Sequence, residues 1–205
     1  MATCAARRIG LYGGSFDPVH LAHLSFARCA LQSLALDELR FVPAGQPWQK
    51  PGRLAPAADR VAMLKLALAD PRWADPRWVI DPCELERLGP SYTIDTVLQL
   101  QAAEPGADWF LLIGQDQHAR LHTWHRWREL LPRVQLAVAE RPGSAPDIDP
   151  EVAAFGHHPV AMPPSTISSS ALRQQLAAGE GISTLVPAAV ASYIDSHQLY
   201  RHGAG

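Results

Sequence analysis

The chain carries near its N-terminus the segment Gly13-Gly14-Ser15-Phe16-Asp17-Pro18-Val19-His20-Leu21-Ala22-His23. A short apolar stretch with Ile9 and Leu11 precedes it, and apolar residues continue at helical spacing after His20. A strand that enters a helix through glycines directs backbone N–H groups and the positive end of the helix dipole at one point, where a phosphate is stabilised. His20 and His23 share one face of such a helix and can reach the same ligand. The segment therefore predicts an anion site with two imidazoles.

Two familiar phosphate-binding loops differ from this segment. A P-loop would close with Gly-Lys-Ser or Gly-Lys-Thr, and a dinucleotide fingerprint would carry three spaced glycines. The simpler alternative is an ordinary glycine turn followed by two surface histidines. The complete run over residues 13–23 favours the phosphate site over that alternative.

Strand patterns alternate with helix patterns along the rest of the chain. Beyond the first strand we predict strands at about 39–42, 78–81, 108–113 and 134–139, and helices at about 20–34, 59–69, 91–103, 168–178 and 187–195. Residues 108–113 form a nearly uninterrupted apolar run, typical of a central parallel strand that is buried on both faces. We expect Asp59, Ser91, and Ser168 or Ser169 to cap their helices, and residues 142–150 to form a surface loop.

This alternation predicts an α/β fold of the Rossmann-like type, a doubly wound parallel sheet with helices on both faces. Ligands of such sheets bind beyond the carboxyl ends of the strands. Gly13-Gly14, the loop after Val42, and Gly114-Gln115-Asp116 each follow a predicted strand, so all three are candidates for the ligand crevice.

The composition is that of a soluble globular protein, with 205 residues, 47% hydrophobic and 19% charged. We expect one domain over 1–205, large enough to bury a core without staples. A net charge of −2 argues against nucleic-acid binding. The cysteine count is odd, so we do not expect a disulfide framework, and the cysteines do not have the spacing of metal ligands. With no signal-peptide or membrane-span pattern, we expect a cytoplasmic protein that does not bind membranes.

A second informative segment is Ile167-Ser168-Ser169-Ser170-Ala171-Leu172-Arg173. Serines at a helix start satisfy unpaired N–H groups, and the same geometry binds anions. Arg173 follows one turn later, where its guanidinium can reach phosphate oxygens. Alone, such a pattern is usually only a helix cap, so its value lies in its combination with the first segment.

Together the two segments resemble the HxGH and ISSTxxR signatures of the nucleotidyltransferase superfamily. Further segments narrow the resemblance to the bacterial nicotinate-nucleotide adenylyltransferases and extend it over nearly the whole chain, except for the loop over 144–160. These segments are Gly89-Pro90-Ser91-Tyr92-Thr93, Ile113-Gly114-Gln115-Asp116, Thr123-Trp124-His125, Arg141-Pro142-Gly143 and the closing stretch over 185–201. The chain departs from the pattern at three positions. Ala22 replaces the glycine of the first signature, Ser170 replaces a threonine, and Gln49 replaces a common histidine.

The resemblance implies transfer of AMP from ATP to nicotinate mononucleotide, which gives deamido-NAD and pyrophosphate. His20 and His23 would be the catalytic residues. The implied ATP ligands are Gly13, Gly14, Ser15, Phe16, His20, His23, Gly114, Asp116, Ser169, Ser170 and Arg173. The implied nicotinate mononucleotide ligands are Lys50, Tyr92, Thr93, Asp116, Trp124 and His125. The substrate segments would be 89–93 and 114–125, and the C-terminal helical part 168–201. Mg²⁺ would arrive with ATP, because the sequence shows no acidic cluster suited to a protein-built site.

Several of these assignments have a simpler reading. Trp124 could be a core indole instead of a stacking surface for a pyridine ring, Asp116 could be a turn residue, and Lys50 could be solvated. Alternative functions also stay open at this point. They are a nicotinamide-mononucleotide or pantetheine-phosphate adenylyltransferase and a non-catalytic nucleotide-binding regulator.

Overall fold

Six parallel strands form one sheet in the computed structural model, which describes residues 5–46, 54–140 and 147–201. The strands are Arg8–Gly14 (β1), Glu38–Pro43 (β2), Trp78–Ile80 (β3), Asp108–Gly114 (β4), Gln135–Glu140 (β5) and His158–Ala161 (β6). Their spatial order is β3-β2-β1-β4-β5-β6. This is the strand order of doubly wound nucleotide-binding sheets, so the predicted α/β fold is confirmed.

Helices connect the strands. They are Leu21–Ser33 (α1), Ala57–Leu68 (α2), Cys83–Glu86 (α3), Thr93–Ala103 (α4), Gln115–Ala119 (α5), Trp127–Leu130 (α6), Pro150–Ala153 (α7), Ser169–Ala177 (α8) and Ala188–Ser196 (α9). Two short 3₁₀ helices cover Leu121–Thr123 and Leu131–Arg133. Every helix in the described ranges is too short or too polar to span a membrane.

The central strand β4 shows why both faces of the sheet are covered. Phe110 and Leu112 pack into the core cluster that contains residues of α1, α2, α8 and α9. Trp109, Leu111 and Ile113 pack into a second cluster, with residues of α4, α6 and α7. Side chains alternate between the faces of a strand, so a strand buried on both sides is a continuous apolar run. The prediction from residues 108–113 is confirmed.

The edge strand β6 was missed by the sequence analysis, which placed residues 158–160 in the loop over 144–160. It is short and mostly exposed, and it contains Pro159. A proline removes a ladder donor and is tolerated at a sheet edge, where one side has no neighbouring strand. Residues 158–161 therefore form a strand by pairing with β5, although their composition is typical of a loop.

Two predicted helix caps are wrong. Helix α2 begins at Ala57 after Pro56, so Asp59 lies inside its first turn and accepts a hydrogen bond from the Tyr193 hydroxyl. Helix α4 has Tyr92 in the N-cap position, and the Oγ of Ser91 instead accepts from backbone N–H groups of residues 45 and 46. In both cases a long-range partner takes the side-chain oxygen. Ser168 does cap α8, as predicted, by accepting from the Ala171 N–H at 3.2 Å.

Candidate active site

A cleft of about 700 Å³ opens at the carboxyl ends of β1, β4 and β5. From β1 the chain proceeds to β2 on one side, and β4 and β5 continue on the other, so the cleft lies at the topological switch point of the sheet. Its walls include both signature segments and both predicted substrate segments. Lining residues with predicted roles are Gly13, Gly14, Ser15, His20, His23, Thr93, Gly114, Asp116, Trp124, His125, Ser169 and Ser170.

Two glycines leave open space in this cleft. Apart from its own residue and the two adjacent residues of the chain, a Cβ built on Gly13 or on Gly114 meets no atom of the described residues within 4 Å. A Cβ on Gly14 would instead lie 3.1 Å from the Phe16 ring. Gly13 and Gly114 thus give a ligand room to approach the backbone, while Gly14 makes room for an aromatic ring of the protein.

Phe16 supports the site from the core side. Its backbone has a φ of 47°, a left-handed conformation that is uncommon for a bulky residue, and it is 1% exposed. Its ring centroid lies 5.2 Å from that of His23 and 5.5 Å from that of Tyr12, in edge-to-face contacts. The side chain is therefore part of the core, and Phe16 is not among the residues that line the cleft.

The two histidines of the first signature are held together at the start of α1. His20 is the N-cap residue and is 4% exposed, and its ring stacks on that of His23 with centroids 3.6 Å apart. The His20 backbone N–H donates to Nδ1 of His23 at 3.2 Å. This bond makes Nδ1 an acceptor, so the neutral His23 ring carries its proton on Nε2. Ala22, which replaces the usual glycine, also lines the cleft.

The second signature contacts the first directly. The Ser169 Oγ donates to the Pro18 carbonyl oxygen at 3.1 Å, across 151 positions of sequence. Arg173 Nη1 donates to the Asp17 carbonyl oxygen at 2.7 Å. Ser169 and Ser170 line the cleft, whereas Arg173 is not among its lining residues.

Of the predicted acceptor residues, Thr93, Asp116, Trp124 and His125 line the cleft, whereas Tyr92 is not among its lining residues. The Tyr92 and His125 rings stack with centroids 4.0 Å apart, which joins segment 89–93 to segment 114–125. Thr93 is the first residue of α4. Trp124 is half-buried against the core, and its Nε1 has no hydrogen-bond partner within the described part of the chain. Asp116 is exposed in the first turn of α5, after Gly114. The predicted ligand Lys50 and the departure Gln49 lie outside the described residues.

Glu84 is a cleft residue that the sequence analysis missed. It is 7% exposed, and the Thr96 hydroxyl donates to its Oε1 at 2.7 Å. Burial raises the pKa of this carboxyl, although hydrogen bonds from Thr96 and Ser91 oppose the shift. No sequence pattern signals this burial, because Glu84 lies in a one-turn helix close to the charged residues Glu86 and Arg87.

We expect Glu84→Gln to make the stability of the protein less dependent on pH. A raised pKa means that the folded chain binds a proton which the unfolded chain releases. The contribution of Glu84 to stability is therefore full below the unfolded pKa of about 4.3 and is lost as the pH rises through the folded pKa. The Tm of the unmodified protein should fall relative to that of Glu84→Gln as the pH rises.

Thermal unfolding at a series of pH values measures this difference. Glu86→Gln is the matched control, since Glu86 is exposed on the same helix. Parallel Tm profiles for Glu84→Gln and the unmodified protein would contradict the prediction.

Comparisons with known proteins identify the family of the chain. The model of the Cytidylyltransferase-like family matches residues 11–175. A "Probable nicotinate-nucleotide adenylyltransferase" of Methylibium petroleiphilum is 53% identical over 95% of this chain and 92% of its own length. One of Bordetella pertussis with the same description is 44% identical, over 95% and 98%.

A solved structure of Plasmodium falciparum nicotinic acid mononucleotide adenylyltransferase complexed with NaAD shares the fold. It has a TM-score of 0.77 at 20% identity and covers 95% of this chain and 97% of its own. By its match to the family model and its identity to these relatives over nearly its whole length, the chain belongs to the nicotinate-nucleotide adenylyltransferases of the Cytidylyltransferase-like family.

Proposed function

We propose that this protein transfers AMP from ATP to nicotinate mononucleotide, forming deamido-NAD and pyrophosphate. The observation that carries the proposal is the meeting of the stacked pair His20–His23 and the Ser169–Ser170 helix start in one cleft. The acceptor phosphate attacks the α-phosphorus in line, so the protein supplies no nucleophile. Its contribution is positioning and the stabilisation of charge that develops in the transition state.

His20 and His23 act on the α- and β-phosphate oxygens in this proposal. The Nδ1 of His23 is occupied by the His20 N–H, which leaves the donor function of the ring to Nε2. A fixed donor aimed at developing negative charge needs no reorganisation during the reaction. The ring stacking and the N-cap contact provide that fixation.

The remaining ATP contacts come from both signatures and from the end of β4. Gly13, Gly14, Ser15 and Phe16 contribute backbone, and Ser169 and Ser170 bind the triphosphate at the start of α8. Arg173 keeps the Asp17 carbonyl oxygen with Nη1, and we assign to the phosphates its Nη2, which lies 3.4 Å from Oγ of the cleft residue Ser170. Gly114 gives access to the nucleotide, and Asp116 accepts hydrogen bonds from ribose hydroxyls.

The acceptor binds on the side of Tyr92, Thr93, Trp124 and His125. The Trp124 indole faces the pyridine ring, and backbone N–H groups around Thr93 and His125 receive its carboxylate. The Tyr92–His125 stack supports this assignment because it holds the two segments together. We assign Lys50 to the acceptor phosphate on the resemblance of its sequence position.

We propose that Mg²⁺ reaches the site on the triphosphate of ATP. Within residues 5–46, 54–140 and 147–201, no three His, Cys, Asp or Glu side chains are grouped so that they could hold a metal ion. No step of the proposed reaction depends on a metal site built by the protein alone.

One assay separates this proposal from its alternatives. Pyrophosphate release is measured with ATP and, in turn, nicotinate mononucleotide, nicotinamide mononucleotide and phosphopantetheine. We expect nicotinate mononucleotide to be the most efficient of the three acceptors. We also expect residues 1–205 to act as one domain in this reaction. Preference for another acceptor would assign the protein to a sister activity, and ATP binding without pyrophosphate release would make it a regulator.

Trp124→Ala is expected to raise the KM for nicotinate mononucleotide several-fold while the KM for ATP changes little. Stacking contributes about 0.5–1.5 kcal/mol beyond the burial of an aromatic pair, and only the pyridine ring meets the indole. Steady-state kinetics with each substrate varied in turn measures the effect.

Trp124→Phe is the matched variant, because it keeps an aromatic face and should recover part of the acceptor affinity. Trp124 is half-buried, so Tm is recorded for both variants. Equal losses for both substrates, or a collapse of Tm without an acceptor effect, would identify Trp124 as a core residue only.

A further inference from the structure

The buried carboxylate of Asp17, in the middle of the first signature, has no role in the reaction proposed above. Its side chain is 0% exposed. Its Oδ1 accepts from the Tyr200 hydroxyl at 2.6 Å and from the Ala55 N–H at 3.2 Å. Its Oδ2 lies 3.6 Å from Nη1 of Arg173, the same nitrogen that donates to its carbonyl oxygen. Because these contacts come from several directions, Asp17 is held in one position.

The neighbouring carbonyl oxygens are held in the same way. Arg60, which is 2% exposed, donates from Nη1 to the Ser15 carbonyl oxygen at 2.9 Å. Ser169 binds the carbonyl oxygen of Pro18, and Arg173 binds that of Asp17. A carbonyl oxygen carries partial negative charge and would repel a phosphate. Binding these oxygens to donors from α2 and α8 keeps the turn before His20 in an orientation that suits an anion.

Tyr200 binds this turn from near the C-terminal end of the described chain, 183 positions after Asp17. It follows α9 with a φ of 65°, and its ring packs against the core cluster of α1, α2, α8 and α9. A non-glycine residue keeps a left-handed backbone where tertiary contacts over-determine it. Burial and the neighbouring Asp17 raise the pKa of the Tyr200 phenol, so it remains a hydrogen-bond donor at neutral pH.

We propose that Tyr200 is a positioning residue for adenylyl transfer, whose hydroxyl fixes Asp17 and thereby the turn that leads to the catalytic histidines. Tyr200 is not among the residues lining the cleft, so its effect passes through Asp17. This inference rests on the proposed function, because the kcat used to test it is that of the proposed adenylyl transfer.

The test compares Tyr200→Phe with Tyr193→Phe. Tyr193 is also half-buried in the C-terminal part, and its hydroxyl donates to a carboxylate too, Oδ1 of Asp59 at 2.8 Å, but Asp59 lies on α2 outside the first signature. Each variant therefore removes one hydrogen bond from a phenol of the C-terminal part to a carboxylate in the N-terminal third of the chain. We measure the Tm of each protein by thermal unfolding. We then measure kcat and KM for ATP at a temperature where all the proteins are folded.

Tyr200→Phe should lower kcat at least about threefold, and Tyr193→Phe should keep kcat within twofold at a comparable loss of Tm. Equal kcat for the two variants, or losses that follow Tm alone, would overturn the proposal. If the unmodified protein releases no pyrophosphate with nicotinate mononucleotide, the proposed function fails. Calorimetric binding of α,β-methylene ATP then decides the role of Tyr200. Weaker binding to Tyr200→Phe than to Tyr193→Phe supports it, and equal binding overturns it.

Discussion

His23→Ala is expected to lower kcat at least about a hundredfold with a modest change in ATP binding, and His20→Ala should act in the same direction. A donor aimed at transition-state charge is typically worth about 10² to 10³ in rate. Both residues line the cleft, and their rings stack at the N-terminus of α1, where the dipole also favours phosphate. Pyrophosphate release measures turnover, and calorimetry measures ATP binding.

The structure also gives His23 a local role, since its Nδ1 accepts the His20 N–H. Two variants separate this role from catalysis. His23→Asn places a side-chain oxygen where Nδ1 lies and so keeps the acceptor, but it lacks the distal nitrogen. His23→Gln keeps a donor near the position of Nε2. We expect His23→Asn to fold normally and lose turnover, and His23→Gln to retain more activity.

His197→Ala serves as the control for loss of an imidazole outside the cleft. His197 is exposed and stacks on Tyr193 in the C-terminal part. It should leave kcat within about twofold of the unmodified enzyme, as a surface substitution does. Near-normal turnover in both His20→Ala and His23→Ala would exclude the catalytic assignment.

The kcat/KM for nicotinate mononucleotide is expected to exceed that for its amide by at least about tenfold. A carboxylate accepts hydrogen bonds with both oxygens, whereas an amide offers one acceptor and one donor. The NH₂ of the amide would meet a backbone N–H, and a buried donor left unsatisfied costs about 1–3 kcal/mol. Loss of the negative charge at the N-terminus of α4 adds to that cost.

His125→Ala tests whether the groups that select the acid belong to the main chain. The His125 ring stacks on Tyr92, so its removal should weaken acceptor binding somewhat while most of the preference remains. Comparable efficiency with both acceptors in the unmodified protein would refute a donor-lined pocket and indicate dual specificity.

Local patterns along the chain predicted much of the fold. The strand before Gly13, the helix after His20 and the buried strand at 108–113 follow from apolar spacing and turn chemistry alone, because neighbouring residues largely determine them. The strand ends also predicted where the cleft lies. The two signatures, read as motifs, identified the residues for which a catalytic role is proposed.

Tertiary structure decided which partners those residues have. In the sequence Ser91 and Asp59 are typical helix caps. In the fold their side-chain oxygens accept hydrogen bonds from groups that are distant in sequence instead. The edge pairing of β6, the burial of Glu84 and the bond between Tyr200 and Asp17 likewise depend on packing between elements far apart in sequence. Sequence by itself determined the local elements and the chemistry that they carry. The fold determined their contacts, because a long-range hydrogen bond depends on the positions of both segments and leaves no periodic signal in either.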